Sequence, residues 1–325
     1  MASSRLFKAL DPSEIKKIIT NLYGNDTLIT DCHLLQGGVF NTTYRVITES
    51  DPNGIILRVA PTNKHLLFDF EKSMMSAEPL FYELLQEQKI PSSKVIHYDS
   101  TFSIVDREYI IFEYIPSIPM NDPSVPAEAK SALNQLIGGI FSSIHNIQND
   151  HFGWVRPDHA QELFEDWDTF LNRFSREIAD RCFDHSAFKD DELRRFLRIF
   201  DDPIPFNQVR QARMVHTDFW EGNVLVAEKD GKWEVAAIID FDKAIFGDID
   251  MEFTSPRTTN EHFLHGYGRK LDDSPASIYR RKAYRLLGSF MYAYIWLVQY
   301  EDLGRFESVK QRGLAELRHI YWERD

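Results

Sequence analysis

Cysteine is scarce in this chain, with Cys32 and Cys182 the only two and far apart in the sequence. That excludes a disulfide framework and points to a reducing, cytoplasmic compartment. Long apolar runs are also missing. The most apolar stretch, 286-LLGSFMYAYIWLV-298, is shorter than a membrane span and is flanked by Arg285 and Glu301, so it reads as a buried helix and no membrane association is expected. The start, MASSRLFKALDPSEI, lacks the uninterrupted apolar core of an export signal. Basic charge is in deficit, with 37 Lys and Arg against 50 Asp and Glu and a formal charge of −13. Duplex nucleic acid is thereby excluded as the main partner, because such binding relies on basic surface that displaces counterions; a cationic ligand would be favoured. No HExxH occurs, which argues against a metal-dependent hydrolase.

What is present is ample for a folded core: 325 residues, of which 43% are hydrophobic and 13% aromatic. Asp11-Pro12-Ser13-Glu14 combines a capping residue, proline and a capping-box glutamate, and predicts a helix through Ile15, Ile18, Ile19 and Leu22 to Gly24. Three β-like runs follow, at 27–35, 42–48 and 55–60, separated by turn-rich segments, and they predict an antiparallel meander. A helical segment at 68–88 contains Pro79, which predicts a kink or the start of a second helix. Two more β-like runs lie at 94–99 and 108–115. The proline-rich 116–129 reads as a connection. Beyond it the spacing predicts helices around 127–147, 161–180, 190–200, 256–270 and 275–322, with a β-rich island at 213–242. The expectation is an α+β protein with a β-rich lobe over 1–115 and a mainly helical lobe over 116–325.

The island carries the chemistry. In 216-HTDFWEGN-223, His216, Asp218 and Asn223 follow the spacing HxDxxxxN. A strand, a Lys229-Asp230-Gly231-Lys232 turn and a second strand then end at Asp240. That hairpin returns Asp240 toward Asn223, and both offer oxygen to a hard cation such as Mg²⁺. Asp218, five residues before Asn223, stands where a carboxylate could accept a hydroxyl proton. Phosphoryl transfer needs that base and metal ions to gather phosphate charge.

With these residues in order, the chain resembles the aminoglycoside phosphotransferase and choline kinase superfamily, relatives of the protein kinases. Its catalytic loop HGDxxxxN and strand-end IDF or IDW match His216, Asp218, Asn223 and Ile239-Asp240-Phe241, with Thr217 where glycine is common. The stretch 247-GDIDMEF-253 resembles the family's GDPxxDL, with Glu252 at the position of an aspartate that anchors the catalytic loop. The resemblance implies a bilobal protein-kinase-like fold, Asp218 as catalytic base, His216 as a brace, and Asn223 and Asp240 as holders of Mg²⁺. It places ATP or GTP near Gly37, Gly38, Asn41 and Thr42 of 36-QGGVFNTTYRV-46 and at Arg58, where a kinase-like protein carries lysine. Glu78, with Glu71 as the alternative, would pair with Arg58. Main-chain groups from Glu113 to Ile115 would meet the purine.

The acceptor implied is a small hydroxylated molecule. Trp220, Glu221, Asp242 and Glu252 are candidates to line its site, an acidic and aromatic set suited to a cationic compound. An antibiotic such as an aminoglycoside or macrolide is favoured over choline, ethanolamine or sugar substrates, and a monomer or homodimer is expected. A protein kinase is disfavoured because IDF stands in place of DFG and no clear APE segment occurs. A nucleotide-binding pseudokinase would not need Asp218, Asn223 and Asp240 together.

Overall fold

The computed structural model describes residues 4–35, 40–157 and 163–322. Gly37 and Gly38, expected at the nucleotide, lie outside the described residues. The chain divides into two compact units. One comprises the residues up to Met120 with Asn223–Asp242; the other comprises Asn121–Gly222 with the residues from Lys243 onward. The sequence places one boundary at 115/116, with the hairpin in the second lobe. Its strands belong with the first unit because Ile118–Pro119 pairs along one of them and Ile238 N donates to Pro91 O at 2.9 Å.

In the first unit, helix α1 (Pro12–Tyr23) opens as its cap predicts. Asp11 Oδ1 accepts from Ser13 N, and Glu14 Oε2 accepts from Asp11 N, each at 2.8 Å. The expected meander forms as β1 (Ile29–Leu34), β2 (Thr42–Thr48) and β3 (Ile55–Val59). After helix α2 (Met74–Glu87), β4 (Val95–Asp99) and β5 (Tyr109–Glu113) complete an antiparallel sheet in the order β1-β2-β3-β5-β4. Tyr44, Val46, Ile55, Leu57 and Val59 form a core with Ile15, Ile18 and Ile19 of α1. Because strand side chains alternate, Arg58 emerges on the face opposite Leu57 and Val59. Helix α2 runs on through Pro79, so no second helix begins there.

The hairpin strands Val224–Lys229 and Lys232–Ile238 turn at Asp230 and Gly231, with φ of 52° and 75°. Two successive positive φ values match the type I′ geometry that suits the twist of paired strands.

The second unit is mainly helical, with long helices at Ala127–Ile144, Trp167–Asp184, Pro275–Tyr294 and Leu303–Trp322 and a three-stranded sheet of Gln148–Asn149, Ala212–Val215 and Ile245–Gly247. The sequence suggested one helical segment over 275–322. A π-helical turn at Ile295–Gln299 and a positive φ of 50° at Glu301 end the first helix, and Asp302 Oδ1 receives Arg305 N at 2.9 Å as the next begins. A buried ionic network fixes the segment after the small sheet: Arg280 bonds Asp248 and Asp250 at 2.7 and 2.8 Å, and Arg281 bonds Asp250 at 2.8 Å. Two arginines against two aspartates leave that network electrically balanced. Among the described residues no helix is long and apolar enough to cross a membrane.

Candidate active site

The first unit gathers three carboxylates around one guanidinium. Arg58 Nη1 lies 3.0 Å from Glu78 Oε2, while Nη2 lies 3.0 Å from Asp240 Oδ1 and 3.1 Å from Asp242 Oδ2. The Glu78 side chain is fully buried and that of Arg58 is 11% exposed. Glu71 instead accepts from Phe68 N at 2.9 Å, so Glu78 is the glutamate that meets Arg58. Burial pushes the Glu78 carboxyl well above its usual range; Arg58 opposes this, and Asp242 and Asp240 add to it. Burial disfavours the Arg58 charge, but the three carboxylates outweigh it and hold the guanidinium protonated.

Tyr82 braces the end of the hairpin. Its hydroxyl accepts from Asp240 N at 3.1 Å, and its ring meets Phe112 and Phe241 edge-on. Asp240 has a φ of 68°, and Ile239 N donates to Asn223 O at 3.0 Å, which ties the two expected metal residues through the backbone. Among the described residues, no group of three or more His, Cys, Asp or Glu is assembled as a metal site. Mg²⁺ characteristically takes only one or two protein ligands, with phosphate and water supplying the rest. The residues fit such an ion: Asn223 and Asp240 offer hard oxygens, three carboxylates exceed one guanidinium, and buried Glu78 Oε1 has no hydrogen-bond partner.

The catalytic-loop candidate lies in the second unit. His216 is wholly buried, and its backbone N donates to Glu252 Oε2 at 2.8 Å. His145 Nε2 lies 3.6 Å from the same oxygen, and its Nδ1 shares a 2.8 Å hydrogen bond with Tyr267. Asp218 N donates to His216 Nδ1 at 3.3 Å. Thr217 has a φ of 64°, the left-handed conformation that explains why glycine suits this position. Its hydroxyl donates to Lys243 O at 2.9 Å, which offsets part of that strain.

The Asp218 side chain is 26% exposed and lies 2.8 Å from Lys243 Nζ. Burial raises the proton affinity of this carboxyl, but Lys243, His216 and Tyr292 together bring it below the usual aspartate value.

The remaining expected residues divide by burial. Asn41 Nδ2 donates to Asp242 Oδ2 at 3.2 Å within the first unit. Thr42 is buried and its hydroxyl donates to Lys8 O at 3.2 Å, so that side chain faces its own unit's N-terminal segment and offers no donor to a nucleotide. Glu113 is exposed while its N–H is taken by Lys94 O, and Ile115 O accepts from Ser117. Trp220 is 39% exposed, and Glu221 pairs with Arg257 at 3.2 Å. Asp242 and Glu252 are corrected as acceptor-lining candidates: at 5% and 4% exposure, their carboxylates are turned to Arg58 and to the His216 backbone.

Lys243, Tyr292, Tyr82 and His145 escaped the sequence reading. Only Lys243 carried a usable signal, as a cation three residues after the strand-end aspartate.

A five-stranded antiparallel sheet, a helix-rich remainder and an aspartate on a histidine-led loop define an α+β protein of the protein-kinase-like phosphotransferase fold. The chain belongs to the phosphotransferase enzyme family, whose model matches residues 31–279. Among solved structures, it is similar to a thermostable mutant of aminoglycoside phosphotransferase APH(4)-Ia in ternary complex with AMP-PNP and hygromycin B. Identity is 19% and the TM-score 0.67, covering 94% of this chain and 98% of that one. The GDP and kanamycin complex of APH(2″)-IIIa is 12% identical with a TM-score of 0.60, covering 95% and 98%. Macrolide 2′-phosphotransferase MphH from Brachybacterium faecium, as apoenzyme, is 11% identical with a TM-score of 0.56, covering 92% and 97%. At these identities the likeness is one of fold. No curated protein matches the chain at a significant level.

Proposed function

We propose that the protein transfers the γ-phosphoryl group of ATP or GTP to a hydroxyl of a small molecule. The observation that carries this reading is Asp218: a partly exposed carboxylate held ionised by the Lys243 ammonium 2.8 Å away, on a loop whose histidine is buried and whose backbone is pinned by Glu252. Such a group accepts a hydroxyl proton as the oxygen becomes a nucleophile. The acceptor's O–H bond breaks and its proton passes to Asp218. Its oxygen bonds to the γ-phosphorus, and the bond from phosphorus to the bridging oxygen breaks, leaving a nucleoside diphosphate.

Arg58 presents a planar guanidinium suited to phosphate oxygens, and Glu78 orients it from the interior. Asn223 and Asp240 would hold Mg²⁺, which when bound neutralises phosphate charge. His216 and Glu252 keep the Asp218 loop in register. The family membership and the nucleotide-bound neighbours support this assignment of parts.

The named substrates of the neighbours make aminoglycosides and macrolides the first acceptors to try, followed by choline, ethanolamine and sugars. The test incubates this panel with Mg·ATP and Mg·GTP and reads product mass. The expected outcome is one compound gaining one phosphoryl group with wild-type protein and none with Asp218→Ala. Equal transfer by both proteins would remove Asp218 from the reaction.

A further inference from the structure

Both oxygens of the Asp218 carboxylate are engaged by side chains from other segments of its own unit. Lys243 Nζ lies 2.8 Å from Oδ2, and the Tyr292 hydroxyl lies 3.4 Å from Oδ1. The two groups also meet each other, with Nζ 5.5 Å from the Tyr292 ring centre. The backbone holds the arrangement in place, because Lys243 O accepts from Thr217 Oγ1, on the residue directly before the aspartate. Tyr292 arrives from the distant Pro275–Tyr294 helix.

The two contacts are unequal. An ammonium 2.8 Å from a carboxylate is a charge-assisted hydrogen bond of full strength. A hydroxyl contact of 3.4 Å exceeds the usual O–H···O range and is the one more readily exchanged. We propose that Lys243 and Tyr292 are positioning residues for the base: Lys243 fixes Oδ2, and Tyr292 marks Oδ1 as the oxygen that receives the acceptor hydroxyl's proton. This rests on the reading of Asp218 as the base.

Among the described residues, the charged and titratable groups that act on this carboxylate include Lys243, His216 and Tyr292. Burial, followed by the Asp218 charge, pushes the Tyr292 phenol up to about 12, so it stays a hydroxyl donor at neutral pH. Lys243 neutralises the carboxylate locally, and Arg257 does the same for Glu221. Glu221, one of the acids the sequence offered to a cationic acceptor, therefore already has a cationic partner from another segment.

The test does not depend on turnover. Aspartate side-chain carboxyl carbons are labelled with carbon-13, the Asp218 signal is identified by its absence in Asp218→Asn, and its titration is followed by NMR. Lys243→Met is expected to raise the proton affinity of Asp218 at least about tenfold, roughly one pH unit, while Lys243→Arg keeps it within about threefold of wild type. Tyr292→Phe, which removes one oxygen from a retained ring, is expected to raise it by about two- to threefold. Unchanged affinity in Lys243→Met, or in Lys243→Gln where the Met variant does not fold, overturns the proposal.

The pH profile of Mg·ATP and Mg·GTP hydrolysis, with water as acceptor, separates the two readings. An acidic limb that moves with the NMR midpoint supports both. A limb that stays while the midpoint moves overturns Asp218 as the base, and with it the positioning role.

Discussion

Replacing Arg58 by methionine removes the guanidinium that Glu78, Asp240 and Asp242 share, with Glu78 wholly buried and Asp242 5% exposed. Breaking a buried ion pair from one side costs about 3–5 kcal/mol. Proton uptake limits that cost. Neutralising a carboxyl whose unfolded pKa is about 4 costs about 1.4 kcal/mol for each pH unit above it, hence about 4 kcal/mol at pH 7 and about 1.4 at pH 5. Arg58→Met should therefore lower the unfolding free energy by about 3–4 kcal/mol at pH 7 and by less than half that at pH 5.

The direction follows from Glu78. Its folded-state proton affinity is raised, so the stabilisation it contributes is complete below the unfolded pKa and is lost as pH rises through the folded value. Without Arg58 the rise is larger and the loss with pH steeper. Arg58→Lys should fall in between, because a single ammonium replaces a fork that reaches three carboxylates. Urea unfolding followed by circular dichroism at both pH values measures the difference. A cost below about 1 kcal/mol at pH 7, or one that does not shrink at pH 5, would refute the reasoning.

Substitutions at three further sites probe the second unit. Glu252→Ala leaves the buried His216 N–H without its acceptor and should cost about 1–3 kcal/mol in unfolding free energy, whereas Glu252→Gln keeps an acceptor oxygen and should cost less; chemical denaturation ranks the two. A Cβ at Gly138 would stand 2.0 Å from Phe263 O, so Gly138→Ala should cost about 1–3 kcal/mol or more through helix displacement. At Gly288 such an atom would meet nothing within 4 Å, so Gly288→Ala should raise stability by about 0.5–1 kcal/mol; paired thermal melts check both signs.

Local pattern made the meander, the α1 cap and the Asp230-Gly231 turn legible, because strand alternation, capping residues and turn chemistry act over a few residues. The loop from His216 to Asn223 and the strand end at Asp240 were legible through spacing. Tertiary pairing was not. Asp242 read as acceptor lining because nothing nearby in sequence signals that Arg58, far away on β3, takes its carboxylate. Tyr292 lies in an apolar helical run and reads as core, and only the fold brings its hydroxyl to Asp218. Pro79 predicted an interruption from the cost of a lost backbone donor, but α2 is held on both sides of it by burial of Met74, Met75, Phe81, Tyr82 and Leu85. Thr217 stood out in the sequence only as a missing glycine; its positive φ and the Lys243 carbonyl that supports it come from the fold.

The central claim is that Asp218 takes the acceptor's proton in a phosphoryl transfer. Its most direct test uses Asp218→Ala with nucleotide binding followed by calorimetry and transfer followed by product mass on the same preparation. The account predicts nucleotide affinity within about threefold of wild type and a fall in transfer of at least about a hundredfold. Undiminished transfer by that variant would contradict it.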